Sequence, residues 1–252
     1  MKNIKVASSI SVSWLYILLL SLGISACNSC QAQKEPTASD GYSSKVPHPD
    51  GTGKVYLKRE IAGIMGAGGG GWLERNSRQE EENVTLAIEN MALSQQSVVA
   101  DIGAGTGYYT FRIAPKVPAG RVYAVDVQDA FISALNEQKE ALGLSNVEVV
   151  KGGSQSPNLS DASLDLAIMV DVYHELEYPQ EMLQAIHKAL KPDGKLLLLE
   201  YRAEDASIPI KELHKMSVSQ VNKELNANGF QLYRQEDFLP IQHFLIYEKV
   251  GE

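Results

Sequence analysis

Val98-Val99-Ala100-Asp101-Ile102-Gly103-Ala104-Gly105-Thr106-Gly107-Tyr108-Tyr109 is the stretch whose reading decides the fold. A run suited to a buried strand enters a turn with glycine at alternate places and then a helix start. Glycine reaches backbone angles closed to other residues and lets a ligand approach the main chain. The free amides at a helix N-terminus receive electronegative groups. Asp126 follows nineteen residues after Gly107, at the end of the next apolar run, Val122-Tyr123-Ala124-Val125-Asp126. From that position an acid accepts hydrogen bonds from both hydroxyls of a ribose. A lone G-x-G is weak; the turn, the spaced acid and the strand–helix–strand context together are strong.

Outward from this unit, apolar runs alternate with helical stretches, the pattern of a parallel sheet covered by helices. The runs are Ser97–Ile102, Arg121–Asp126, Val147–Lys151, Leu164–Val170 and Lys195–Tyr201, with helical segments near Tyr108–Ala114, Asp129–Leu142 and Gln180–Leu190. Lys191-Pro192-Asp193-Gly194 stops the last of these. A further helix is expected over Val218–Asn226, ending at Asn228-Gly229. Phe230–Phe238 and His243–Lys249 then suit an antiparallel hairpin at the sheet edge. Upstream, Arg78–Leu93 reads as one helix with acids in its first turn, where the helix dipole favours them.

Two ligand families use such a glycine turn. Dinucleotide folds prefer G-x-G-x-x-G, and here Tyr108 occupies the third glycine's place. Asp101-x-Gly103-x-Gly105-x-Gly107 instead resembles motif I of the class I S-adenosylmethionine-dependent methyltransferases, and the resemblance runs from about Asn83 to Lys249. It implies a Rossmann-like, doubly wound, mostly parallel seven-stranded sheet with an antiparallel terminal hairpin, and S-adenosyl-L-methionine as cofactor. It further implies that Asp101, Gly103, Gly105 and Gly107 face the methionine part, that Asp126 holds the ribose and that Val127 packs on the adenine. Many relatives carry an acid after strand three to read the adenine amine; here Lys151-Gly152-Gly153-Ser154-Gln155 has none, and Ser154 or Gln155 is the substitute.

Met169-Val170-Asp171-Val172-Tyr173-His174-Glu175-Leu176 resembles motif IV of small-molecule methyltransferases, which borders cofactor and acceptor. Asp171 is read as a cofactor residue and Tyr173 as a pocket residue. His174 is either a general base, its ordinary pKa lying near neutrality, or part of the pocket wall. Glu200, Tyr201 and Arg202, at the end of strand five, form a pocket-edge group and are candidate substrate contacts. So are Trp72 and Arg75, in a segment that often forms a lid in this family; ordinary packing is the alternative for each. No H-x-x-x-H or paired-carboxylate spacing argues for a metal, and His214 and His243 stand isolated.

The 252 residues carry 23 Lys plus Arg against 31 Asp plus Glu, a formal charge of −8, which disfavours nucleic acid as a partner. A small-molecule acceptor is expected. Cys27 and Cys30 are the only cysteines, which disfavours an arsenite methyltransferase, an enzyme that relies on pocket cysteines. Asp171-Val172-Tyr173-His174 likewise replaces the Asn/Asp-Pro-Pro-aromatic segment of DNA amino-methyltransferases. Residues 1–26 have a basic start and an apolar core of about 15 residues, shorter than the ~20 of a spanning helix, as in a secretory signal. Ser25-Ala26-Cys27 resembles the lipobox of bacterial lipoproteins, which implies cleavage before Cys27, its lipidation, and anchoring at a membrane on the periplasmic side of a bacterial envelope. An uncleaved N-terminal anchor in the inner membrane is the alternative. Loss of the leader removes Lys2 and Lys5 and no acid, taking the charge to −10.

Residues 27–54 read as a flexible tether, Gln31–Lys54 spanning about 25–30 Å as a coil, residues 55–96 as a helical lid segment, and residues 97–252 as the methyltransferase core. The expected activity is methyl transfer to a small or lipophilic acceptor. The alternatives are a non-catalytic cofactor-binding or interaction domain at a membrane surface, and a nicotinamide dehydrogenase.

Overall fold

The computed structural model describes residues 41–250. Three strands come first: β1 (Tyr42–Ser44), β2 (Gly51–Tyr56) and β3 (Arg59–Ala62), an antiparallel sheet of their own. Short helices α1 (Gly70–Leu73), α2 (Arg78–Glu82) and α3 (Val84–Glu89) lead to β4 (Val98–Ile102), α4 (Thr110–Ile113), β5 (Arg121–Asp126), α5 (Asp129–Leu142), β6 (Val147–Lys151) and β7 (Leu164–Val170). Then follow α6 (Pro179–Ala189), β8 (Leu190–Tyr201), α7 (Val218–Asn226), β9 (Phe230–Glu236) and β10 (Gln242–Lys249). The main sheet has seven strands in the order β6-β5-β4-β7-β8-β10-β9. The first five are parallel, and β10 runs antiparallel between β8 and β9. The doubly wound sheet with its terminal hairpin is the architecture expected.

Alternation within single strands builds both faces. In β8, Leu197 and Leu199 pack with Ile88, Ile113 and Leu135, from α3, α4 and α5. Leu196 and Leu198 turn the other way, toward Leu183, Ile186, Val221 and Leu225 of α6 and α7. Side chains at successive strand positions point to opposite faces, and with helices on both, a central strand reads as continuously apolar. Chain order leaves β4 toward β5 on one side and β7 on the other. The crevice at that reversal, beyond the strands' carboxyl ends, is where open α/β sheets receive ligands.

Two local expectations are corrected. From Tyr42 onward the proposed tether carries β1, a turn and the start of β2. Tyr42 packs on Tyr56 with ring centroids 4.9 Å apart and donates its hydroxyl to Glu181 of α6 at 2.6 Å. Lys54 sits 3.3 Å over the Tyr178 ring. Anchoring of this kind comes from tertiary contacts that a Gly-Thr-Gly-Lys stretch does not announce. The single helix expected over Arg78–Leu93 is broken at Asn83, which takes φ 52°. Asn83 closes α2 and caps α3, accepting from the Leu86 amide at 3.4 Å. Asparagine tolerates that left-handed conformation better than most residues. The leader and Cys27 lie outside the described residues.

Candidate functional site

A cavity of about 620 Å³ opens at the carboxyl ends of β4 to β8. Its floor is the glycine turn. Gly103, Gly105 and Gly107 take φ of 75°, 57° and 85°, angles that cost a side-chain-bearing residue about 1–2 kcal/mol. A Cβ on Gly103 would lie 2.6 Å from Val172 Cγ2, and one on Gly105 2.8 Å from Leu73 Cδ1. Gly103 and Gly105 line the cavity; Gly107 does not, packing instead toward Phe111 and Leu135.

Asp126, at the end of β5, lines the cavity and ties the turn to it. Its Oδ2 accepts from the Gly105 amide at 2.9 Å and its Oδ1 from the Gln128 amide at 2.8 Å. Burial pushes its pKa up. Val127 is 39% exposed and presents an open apolar surface to the cavity. Asp101 lies beneath the turn rather than on the wall. It is buried and accepts from the Thr110 hydroxyl at 2.6 Å, and burial raises its pKa to about 6. After β6, Gly152 and Gly153 form the wall and the exposed Ser154 does not.

Asp171 follows β7 in a left-handed conformation, φ 54°, and lines the cavity. Its Oδ2 accepts from Gln242 Nε2 at 2.8 Å, while its buried Oδ1 has no hydrogen-bond partner among the described residues. Burial, and then the charges of Glu82 and Glu200, push its pKa well above the carboxylate range. His174 is buried at the cavity edge, with Nδ1 2.6 Å from Glu200 Oε2 and Nε2 3.2 Å from His214 Nδ1. Glu200 is fully buried, and its other oxygen accepts the Tyr173 amide at 2.8 Å. It therefore fixes the His174 ring in place.

The remaining candidates divide. Trp72 and Tyr201 line the cavity. Arg75 stacks 3.8 Å from the Trp72 ring centroid and pairs with Glu82 at 2.7 Å, so it supports the wall from outside. Tyr173 turns away, donating to Glu224 at 2.7 Å within a buried cluster with Arg59. Arg202 also turns away and donates to the Leu239 and Pro240 carbonyls at 2.7 and 3.1 Å, holding the β9–β10 connection.

Two groups in the site, Glu82 and His214, carry no signal in the sequence, and a third, Glu200, reads there only as part of the pocket edge with Tyr201 and Arg202. Glu82 is fully buried and accepts from Tyr201 Oη at 2.9 Å, joining the helical segment to β8. Glu200 orients His174. His214, isolated in sequence, reaches the same wall through the return of the chain after β8, where Met216 donates its amide to the Tyr201 carbonyl at 2.9 Å. Spacing along the chain argued for no metal, yet ligand-type atoms of His174, Glu175 and His214 converge within 4.8 Å of one another.

Residues 100–196 match the family described as "Methyltransferase domain". An uncharacterised methyltransferase-like protein of Schizosaccharomyces pombe is 29% identical over 121 residues, 48% of this chain and 44% of that one. A tRNA U34 carboxymethyltransferase of Desulfotalea psychrophila is 33% identical over 101 residues, 40% of this chain and 31% of that one. The chain thus spans less than half the length of these relatives. The crystal structure of a SAM-dependent methyltransferase from Aquifex aeolicus superposes with a TM-score of 0.69 at 25% identity, over 73% of this chain and 98% of that one. Residues 100–196 are thus similar to a methyltransferase domain, and the fold is shared with a SAM-dependent methyltransferase of known structure.

Proposed function

We propose that the chain transfers a methyl group from S-adenosylmethionine to a small or lipophilic acceptor. The observation that carries this reading is the meeting of the glycine turn and Asp126 on one cavity wall at the sheet's reversal point. The residues suit the cofactor: a cradle that a Cβ would fill, an acid at the ribose position, an open apolar surface at Val127, and a carboxylate oxygen on Asp171 without a partner among the described residues. When bound, the cofactor supplies a methyl group made reactive by its positively charged sulfur.

The chain's own work is alignment and water exclusion, the two effects that dominate when the transferred group is already activated. Asp126 accepts the ribose hydroxyls, and Val127 lies against the adenine. Asp171 Oδ1 receives a cationic group, whose arrival favours the ionised form that burial opposes. Trp72 and Tyr201 bound the acceptor's space, and His174, held by Glu200, presents Nε2 to it. In this reading Nε2 accepts the proton that an acceptor hydroxyl or carbon acid gives up. The test is incubation with labelled cofactor and a metabolite extract of the source cells. A product heavier by one methyl group, absent with Asp126→Ala, is expected; no labelled product from folded protein counts against transfer.

A second reading, cofactor binding without transfer, is favoured by Ser25-Ala26-Cys27, because an exported chain is separated from the cytosolic donor. We propose attachment of the chain to a membrane through Cys27. Fatty-acid labelling lost in Cys27→Ser supports it, and unchanged labelling rules it out.

A further inference from the structure

We propose that His174, Glu175 and His214 form a binding site for a divalent first-row transition-metal ion at the acceptor end of the cavity. His174 Nε2 and His214 Nδ1 are 3.2 Å apart, His214 Nδ1 and Glu175 Oε1 3.4 Å, and His174 Nε2 and Glu175 Oε1 3.9 Å. A triangle with those sides has its corners about 2.0 Å from its centre, within the ~2.0–2.2 Å range of zinc bonds to imidazole nitrogen and carboxylate oxygen. The three atoms can therefore close on an ion with little movement.

The surroundings carry a second, independent sign. A ligating histidine ordinarily offers one nitrogen to the ion and its other nitrogen to a carboxylate that fixes the ring. His174 is so arranged: Nδ1 faces the fully buried Glu200 at 2.6 Å, leaving Nε2 at the centre of the trio. Glu200 is itself held by the Tyr173 amide. Glu175 Oε1 is positioned by the Met65 amide at 3.2 Å and keeps a free lone-pair direction. The two imidazole nitrogens lie within hydrogen-bond distance, 3.2 Å apart, and an ion takes the place of that contact. Lys211, on the same wall, is paired with Asp50.

Two imidazoles and one carboxylate suit zinc, iron, cobalt, nickel or manganese better than the oxygen-seeking magnesium and calcium. All three residues line the cavity, so the ion's remaining positions face it and are open to water or an acceptor oxygen. Ion binding stands apart from methyl transfer; only the acceptor class rests on that reading. A nitrogen whose lone pair is on an ion is not a base. With the ion bound, His174 is a ligand, and the ion lowers the pKa of an oxygen coordinated to it. The acceptors selected are then small molecules that offer an ionisable oxygen.

The test uses the full chain, purified without a histidine tag and stripped with a chelator. Cobalt(II) is titrated with visible absorption as the readout, and S-adenosylhomocysteine binding is measured calorimetrically on the same samples. One equivalent of cobalt with visible bands is expected. His214→Ala and Glu175→Gln should each weaken it by at least about tenfold, with S-adenosylhomocysteine binding and the melting temperature kept. Glu175→Gln retains the bond from Met65 and carries the test should His214→Ala fail to fold. Absence of cobalt binding, or binding equal in both variants and the parent, overturns the site. Cobalt binding without S-adenosylhomocysteine binding upholds the ion site and removes the methyl-transfer reading instead.

Discussion

Glu82→Gln is the substitution that most sharply separates a structural strut from surface decoration. The side chain is fully buried and satisfies three groups at once: Arg75 Nη2 at 2.7 Å, Arg78 Nε at 2.9 Å and Tyr201 Oη at 2.9 Å. Arg78 is itself 3% exposed, donates to the Leu73 carbonyl at 2.9 Å and lies 4.4 Å from the Tyr108 ring centroid. Glutamine keeps the shape, removes the charge and turns an amide N–H toward a donor. Arginine stays protonated at every accessible pH, so a cation is left buried without its partner. Removing one member of a buried pair costs about 3–5 kcal/mol. The low end applies, because Asp171 also faces Arg78 and ionises more readily once the Glu82 charge is gone. At ~2–4 °C per kcal/mol for a domain of this size, a loss of about 3 kcal/mol lowers the melting temperature by roughly 6–12 °C. Differential scanning calorimetry reads this directly. Adding Arg78→Met should return part of the loss, since the unpaired cation leaves with it. A fall of less than about 2 °C for Glu82→Gln would refute the reasoning.

Asp101 makes stability depend on pH. Its folded pKa of about 6 lies above the ordinary 3.8 because of burial. The protonated form is thus favoured in the fold, and stability declines as pH rises from about 4 through about 6. At ~1.4 kcal/mol per pH unit that window amounts to roughly 3 kcal/mol. Asp101→Asn keeps an acceptor for Thr110 and should flatten the decline in denaturation curves taken from pH 4 to 7; an unchanged slope assigns it to other groups. Gly103→Ala should lose at least about 2 kcal/mol, from the positive φ and from a methyl 2.6 Å from Val172 Cγ2. Urea unfolding checks it, and a variant as stable as the parent would contradict the cradle. Val172→Ala added to it should recover the steric part and leave the backbone strain.

The main sheet was legible because its central strands are buried on both faces. Arg121–Asp126, Val147–Lys151 and Leu164–Val170 stand where apolar continuity placed them, as does the helix Val218–Asn226. The three-stranded sheet was not, because Gly51–Tyr56 is held by docking rather than by its own pattern. Site prediction failed in a regular way. Tyr173 and Arg202 each adjoin a cavity residue, His174 and Tyr201, but their side chains leave in other directions, toward Glu224 and the β9–β10 connection. His174 and His214 come from separate turns that only the return of the chain after β8 brings together. Asp101 carried the motif and yet serves beneath the turn.

The most direct test of the account is calorimetric titration of the folded chain with S-adenosylhomocysteine, repeated with Asp126→Ala. A cavity floored by the glycine turn and Asp126 predicts one site per chain, with affinity lost or strongly reduced in the variant while its melting temperature shows it folded. Absence of binding at millimolar ligand by folded parent protein, or equal affinity in Asp126→Ala, would contradict it.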